Sequence, residues 1–183
     1  MLFKAVSIAA ILADTASGAP VAESKQHSVY FTVDGGSFVS ANAMRNGTEP
    51  DDAIILAGER LSVYPGTPAF LTGNSPNNAL NFDLRQPLDK TIAPGTYGAF
   101  APLVGDNYGY STPVVLKEDQ SEDEWSVYDG TLSHKLDSAE EAFFSCTLPV
   151  NGEDLAVLSW GVFQSNGQPP VGCETTQVVF TNN

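Results

Sequence analysis

The feature that most constrains this chain is the brevity of its apolar runs. From Ser28 onward hydrophobic residues come in stretches of about four to six, each cut off by Gly, Pro, Asn or Asp. The runs are 29–33 (VYFTV), 38–40, 54–57, 61–64 (LSVY), 69–71, 80–84 (LNFDL), 97–100, 114–116, 125–128 (WSVY), 131–134, 143–146, 155–163 and 177–181 (QVVFT). Amphipathic helices need ten residues or so of 3.6-fold patterning, whereas strands need only four to eight with period two. LNFDL shows that period cleanly, with Leu80, Phe82 and Leu84 separated by Asn81 and Asp83. Runs of this kind recurring about every 8–12 residues predict one all-β domain, an antiparallel β-sandwich or barrel. The breaks fit that reading. Asp129-Gly130 between WSVY and TLSH is a two-residue hairpin signal, because both residues tolerate positive φ. Tyr64-Pro65-Gly66 and Ala93-Pro94-Gly95 predict turns in which Pro presets φ and Gly takes the left-handed position. The one helix candidate is 138–142, with Asp137 as its N-cap. Trp160 lies on the longest apolar run and is expected in the core.

Ahead of this domain stands a different kind of sequence. Lys4 precedes a nine-residue apolar run (AVSIAAILA), and Ala16-Ser17-Gly18 has the small–x–small form of a cleavage site. Residues 1–18 therefore read as a secretory signal peptide. The run is too short to cross a bilayer, which takes roughly 20 residues. Residues 19–27 are polar and aperiodic, a disordered lead-in, and 28–183 form the domain. The expected product is secreted, extracellular or wall-bound, with no membrane attachment after cleavage. With 22 acidic against 8 basic residues the net charge is −14. Such a surface repels phosphate backbones and anionic lipid, so nucleic acid is excluded as a partner class. Two cysteines, Cys146 and Cys173, allow one intramolecular pairing in an oxidising compartment, with two buried thiols as the other option.

Motifs that would carry chemistry are largely absent from the sequence. The chain contains no G-x-S-x-G, H-E-x-x-H, P-loop or dinucleotide fingerprint, so no cofactor and no catalytic residue is assigned. Its two histidines, His27 and His134, match no metal-ligand spacing and read as exposed or edge residues. Asp83, Glu124 and Glu174 are the carboxylates a glycoside hydrolase would draw on, but nothing in the sequence pairs any two of them. The acidic stretch 118–124 (EDQSEDE) lacks the alternation and central glycine of a calcium loop and reads as a solvated connection, without metal. In 105–110 (GDNYGY), Tyr108 and Tyr110 alternate with glycine beside polar residues. These two rings are the candidate carbohydrate contacts, with packing of the loop as the plainer alternative. Asn46-Gly47-Thr48 is a candidate N-glycosylation site at Asn46.

The C-terminal third carries a resemblance. Phe144-Ser145-Cys146, then Leu158-Ser159-Trp160-Gly161-Val162, then Gly172-Cys173-Glu174 and a final Val178-Val179-Phe180, with Trp125-Ser126-Val127 and Leu132 upstream, resemble the small secreted phiA-like cell-wall proteins of filamentous fungi. The likeness covers roughly 125–180. It implies a fungal, extracellular, wall-associated β protein without enzymatic activity, whose partners are wall polysaccharide or wall proteins. Two other classes stand beside it: a secreted effector or antigen-like protein that binds a host molecule, and a carbohydrate-active hydrolase. Retention in the wall, release into culture fluid and sugar release separate the three.

Overall fold

The computed structural model describes residues 27–60, 66–74, 77–102, 108–134 and 141–182. Among them are fourteen strands and no helix. The first seven are β1 (His27–Val33), β2 (Ser37–Arg45), β3 (Ile54–Arg60), β4 (Pro68–Asn74), β5 (Asn77–Asp83), β6 (Thr96–Phe100) and β7 (Ser111–Pro113). The rest are β8 (Val115–Glu118), β9 (Trp125–Tyr128), β10 (Thr131–His134), β11 (Glu141–Val150), β12 (Glu153–Val162), β13 (Cys173–Thr175) and β14 (Val178–Asn182). Each apolar run that falls on described residues became strand, wholly or in large part. The signal peptide, most of the lead-in, the run at 61–64 and most of the helix candidate lie outside those residues. Of that candidate, Glu141 and Ala142 belong to β11 and are extended. His27, the last residue of the expected lead-in, already belongs to β1.

Pairing decides between sandwich and barrel in favour of the barrel. β3, β2, β1, β4, β5, β6 and β8 hydrogen-bond in sequence, antiparallel at every step. The ring closes where Ile54 and Ile55 of β3 meet Leu116 and Val115 of β8. Closure removes exposed strand edges along the circuit, which is how an antiparallel sheet avoids pairing with other chains. Two groups of strands extend it. β14, β10 and β9 make a second path from β1 to β5. β12 joins β3 at Val157↔Ala57 and carries β11, β13 and β7.

The inward side chains form one large core. Phe31, Leu56, Phe82 and Ala99 from the ring are fully buried, and Trp125, Phe143, Leu158 and Trp160 from the added strands join the same cluster. Each large side chain removed from water stabilises by about 1.5–3 kcal/mol. Trp160 lies where its sequence pattern predicts, edge-to-face on Phe143 at 4.8 Å. Cys146 and Cys173 stand opposite each other in the β11–β13 register and are disulfide-bonded. Asp129 (φ 49°) and Gly130 (φ 74°) make the expected hairpin turn, and Asn151 (φ 52°) with Gly152 (φ 87°) makes another between β11 and β12. Gly66 adopts positive φ as its turn predicts (φ 82°), whereas Gly95 does not. The turn at Gly95 is held instead by the Leu84 N–H donating to the Gly95 carbonyl (2.8 Å).

Candidate functional site

The hairpin register places a histidine deep in the protein. With Asp129-Gly130 as the turn, Tyr128 pairs with Thr131 and Trp125 pairs with His134. Leu132 and His134 are two apart and share a face, and that face is the core side. His134 is therefore buried, 5% exposed, and not the exposed or edge residue its position suggests. Its ring sits edge-to-face with two indoles, Trp125 and Trp160, each at 5.0 Å between centroids.

The acidic stretch supplies its partners. After β8 the chain reverses at Asp119 (φ 50°), whose N–H donates to the Thr96 carbonyl at 3.1 Å. It then crosses β6 directly over Gly98. A Cβ at that position would lie 1.9 Å from the Gln120 carbonyl oxygen, so the crossing requires glycine there. Glu122 and Glu124 follow, two residues apart in the approach to β9. The Glu122 carboxylate bonds His134 Nε2 through Oε1, which also accepts the Ala101 N–H at 3.4 Å. Glu124 Oε2 lies 3.6 Å from the same Nε2. One donor atom from each of the three residues can be chosen so that all lie within 4.8 Å of one another. Exposure grades outward, from a buried imidazole through a Glu122 side chain at 19% to a Glu124 side chain at 39%. His134 Nδ1 and Trp125 Nε1 are buried with no hydrogen-bond partner among the described residues. The reading of 118–124 as a solvated connection thus holds for part of its length and fails for Glu122, which packs onto the core.

The other candidates are dispersed. Asp83 receives two bonds from its neighbour Arg85 Nε (2.9 Å each), and Glu174 accepts the N–H groups of Asp34 and Gly35 in the β1–β2 turn. Of the three hydrolase candidates, Glu124 lies beside Glu122 in the cluster around His134. Glu174, Asp34 and Asp154 line a groove of about 550 Å³ beside the disulfide. His27 stacks on Phe180 at 4.3 Å. Asn46 is exposed in the β2–β3 connection, where its own N–H bonds the Ala53 carbonyl (2.9 Å). Tyr108 and Tyr110 are 58% and 52% exposed. Gly109 between them donates to the carbonyls of Val162 and Phe163 (3.1 Å each), and the Val162 N–H donates to the Tyr110 carbonyl (2.9 Å). That turn lies against Gln164, which begins a connection with exposed Ser165, Asn166 and Gln168.

Among the described residues, Tyr97 and Asp89 are shifted from their ordinary ionisation. Burial pushes the Tyr97 phenol up, helped by the Glu118 charge and opposed by Arg45, and its hydroxyl donates to the Ala93 carbonyl (3.0 Å). Burial also works against ionisation of Asp89. Hydrogen bonds from the Arg45 N–H and from the Thr91 hydroxyl and N–H, with the Arg45 charge, outweigh it and hold that carboxyl below its usual value. No family model, no curated protein and no solved structure matches this chain.

Proposed function

We propose that this protein is a non-enzymatic secreted component of the fungal wall, which binds wall polysaccharide through the face bearing Tyr108 and Tyr110. The observation that carries the reading is the exposure of these two phenol rings on a turn clamped to β12. A tyrosine ring stacks on the apolar face of a pyranose while its hydroxyl stays hydrated. Ser165, Asn166 and Gln168 in the neighbouring connection supply hydroxyl and amide groups of the kind that bond sugar hydroxyls. The disulfide fits an oxidising compartment, and the resemblance of residues 125–180 to phiA-like wall proteins supplies the wall itself as the setting.

Co-sedimentation of purified, untagged protein with insoluble β-glucan and with chitin tests this, with reducing sugar assayed in the same tubes. Saturable pelleting without sugar release is expected. In Tyr108→Ala/Tyr110→Ala the affinity should fall at least about tenfold, equivalent to about 1.4 kcal/mol. The melting curve should be preserved, because both side chains are largely in solvent. Absence of pelleting would reject the wall-polysaccharide reading and point to a protein partner met after release. Sugar release would reject the non-enzymatic one.

A further inference from the structure

We infer that Glu122, Glu124 and His134 form a binding site for a divalent transition-metal ion, with zinc the best fit to the donors. The inference is independent of the wall-binding reading and shares no residue with it.

Three observations carry it. The donors are mixed, one imidazole nitrogen and two carboxylates, and each offers an atom within 4.8 Å of the others. A tetrahedral ion at metal–ligand distances of about 2.0–2.2 Å holds its donors about 3.3–3.6 Å apart, so the cluster takes one small ion once the Glu122 carboxylate draws back from Nε2. The nitrogen donor is preorganised, since His134 is 5% exposed and fixed between Trp125 and Trp160. Charge points the same way. Two carboxylates converge on one imidazole, and a divalent cation among them would offset both negative charges. The graded exposure leaves the Glu124 side open to solvent, which gives the ion an entry path and leaves room for a water as fourth ligand.

The donor set also selects the ion. Calcium and magnesium take all-oxygen shells of six or more ligands, and a buried imidazole serves neither. Zinc accepts nitrogen and carboxylate oxygen with three protein ligands and an open position. Ligation through Nε2 displaces the hydrogen bond to Glu122 and places the ring proton on Nδ1.

The competing account is a plain His134–Glu122 hydrogen bond with Glu124 nearby, and metal titration of untagged protein separates the two. Chelator-treated protein is titrated with zinc by calorimetry, then with calcium. The imidazole resonances of the chain's two histidines are followed by NMR. The expected result is one zinc per chain, at least about tenfold tighter than calcium, with the His134 signals shifting and the His27 signals fixed. His134→Ala removes a core side chain and is uninformative if it unfolds, so the carboxylate variants Glu122→Gln and Glu124→Gln carry the test. Each should weaken zinc at least about tenfold, with metal-free Glu124→Gln melting as the parent does. Absence of saturable zinc binding at about millimolar concentration would overturn the proposal. So would binding that leaves His134 unmoved or is unchanged in the combined Glu122→Gln/Glu124→Gln variant, since the ion would then sit on surface carboxylates elsewhere.

Discussion

Gly98→Ala is the sharpest probe of how the acidic segment is held. The added methyl would stand 1.9 Å from the Gln120 carbonyl oxygen, 2.7 Å from Ser121 Cα and 2.8 Å from the Gln120 carbonyl carbon. Ordinary contact begins near 3.4 Å, so the crossing segment must lift by about 1.5 Å. A clashing side chain could rotate away, but this obstacle is backbone. Overpacking typically costs about 1–3 kcal/mol, and a backbone obstacle puts this substitution at the upper end. Lifting the segment also draws Glu122 away from His134, leaving a buried imidazole without its partner, a further penalty of about 1–3 kcal/mol. Taking about 3 kcal/mol as the floor, the thermal midpoint should fall by roughly 6–12 °C for a domain of this size. The fold should survive, because total stability is usually about 5–15 kcal/mol. Circular dichroism melts would record the change, with Gly95→Ala as the matched control. A Cβ at Gly95 meets nothing nearer than 3.4 Å, so that variant should stay within about 1 kcal/mol of the parent. If Gly98→Ala melted within about 2 °C of the parent, the segment would not lie on β6, and the positioning of Glu122 and Glu124 derived from it would fall too.

Trp160→Ala should lower stability by about 3–5 kcal/mol in urea unfolding, since the ring is 2% exposed and packs on Phe143 and His134. An unchanged midpoint would take it out of the core. Replacing both Cys146 and Cys173 with Ser frees a closure between residues 27 apart and should cost about 3–4 kcal/mol. A melting point insensitive to reductant would contradict this. Asp89 has its carboxyl held below the usual value, so the stability it contributes is present above about pH 4 and is lost as pH falls through its lowered folded value. In Asp89→Asn that part of the acid limb should flatten, and an unaltered limb would refute the assignment.

Much of the fold is legible in the sequence because half-buried strands alternate visibly. Residues 80–83 of LNFDL are the second half of β5, with Leu80 and Phe82 in the core and Asn81 buried between them, and WSVY-DG-TLSH is the β9–β10 hairpin. β7 (STP) and β13 (CET) leave no signal in the sequence because three residues carry no period. Their neighbours hold them, β12 in one case and β11 with the disulfide in the other. Barrel and sandwich share the same alternation, and closure rests on β3 meeting β8, a pairing between residues such as Ile54 and Leu116 that no local pattern specifies.

The triad divides along the same line. The half made by His134 was within reach of local pattern, although its place at a strand end suggests an exposed or edge residue. An Asp-Gly turn fixes the two-residue hairpin, the hairpin fixes Trp125 opposite His134, and Leu132 two residues earlier fixes the inward face. A histidine so placed needs a polar partner, and burial without one costs about 1–3 kcal/mol. The carboxylates are the half that local reasoning could not reach. Glu122 and Glu124 are close in sequence to Trp125, but their approach to His134 depends on the reversal at Asp119 and on the missing side chain at Gly98. Gly98 stands 24 residues before Glu122 in the chain, within a strand where glycine is ordinarily a weakness. A glycine at the middle of TYGAF was the one mark in the sequence that another backbone passes close by. What passes there is the acidic segment, and the contact turns a run of surface charge into two ligands beside a buried imidazole.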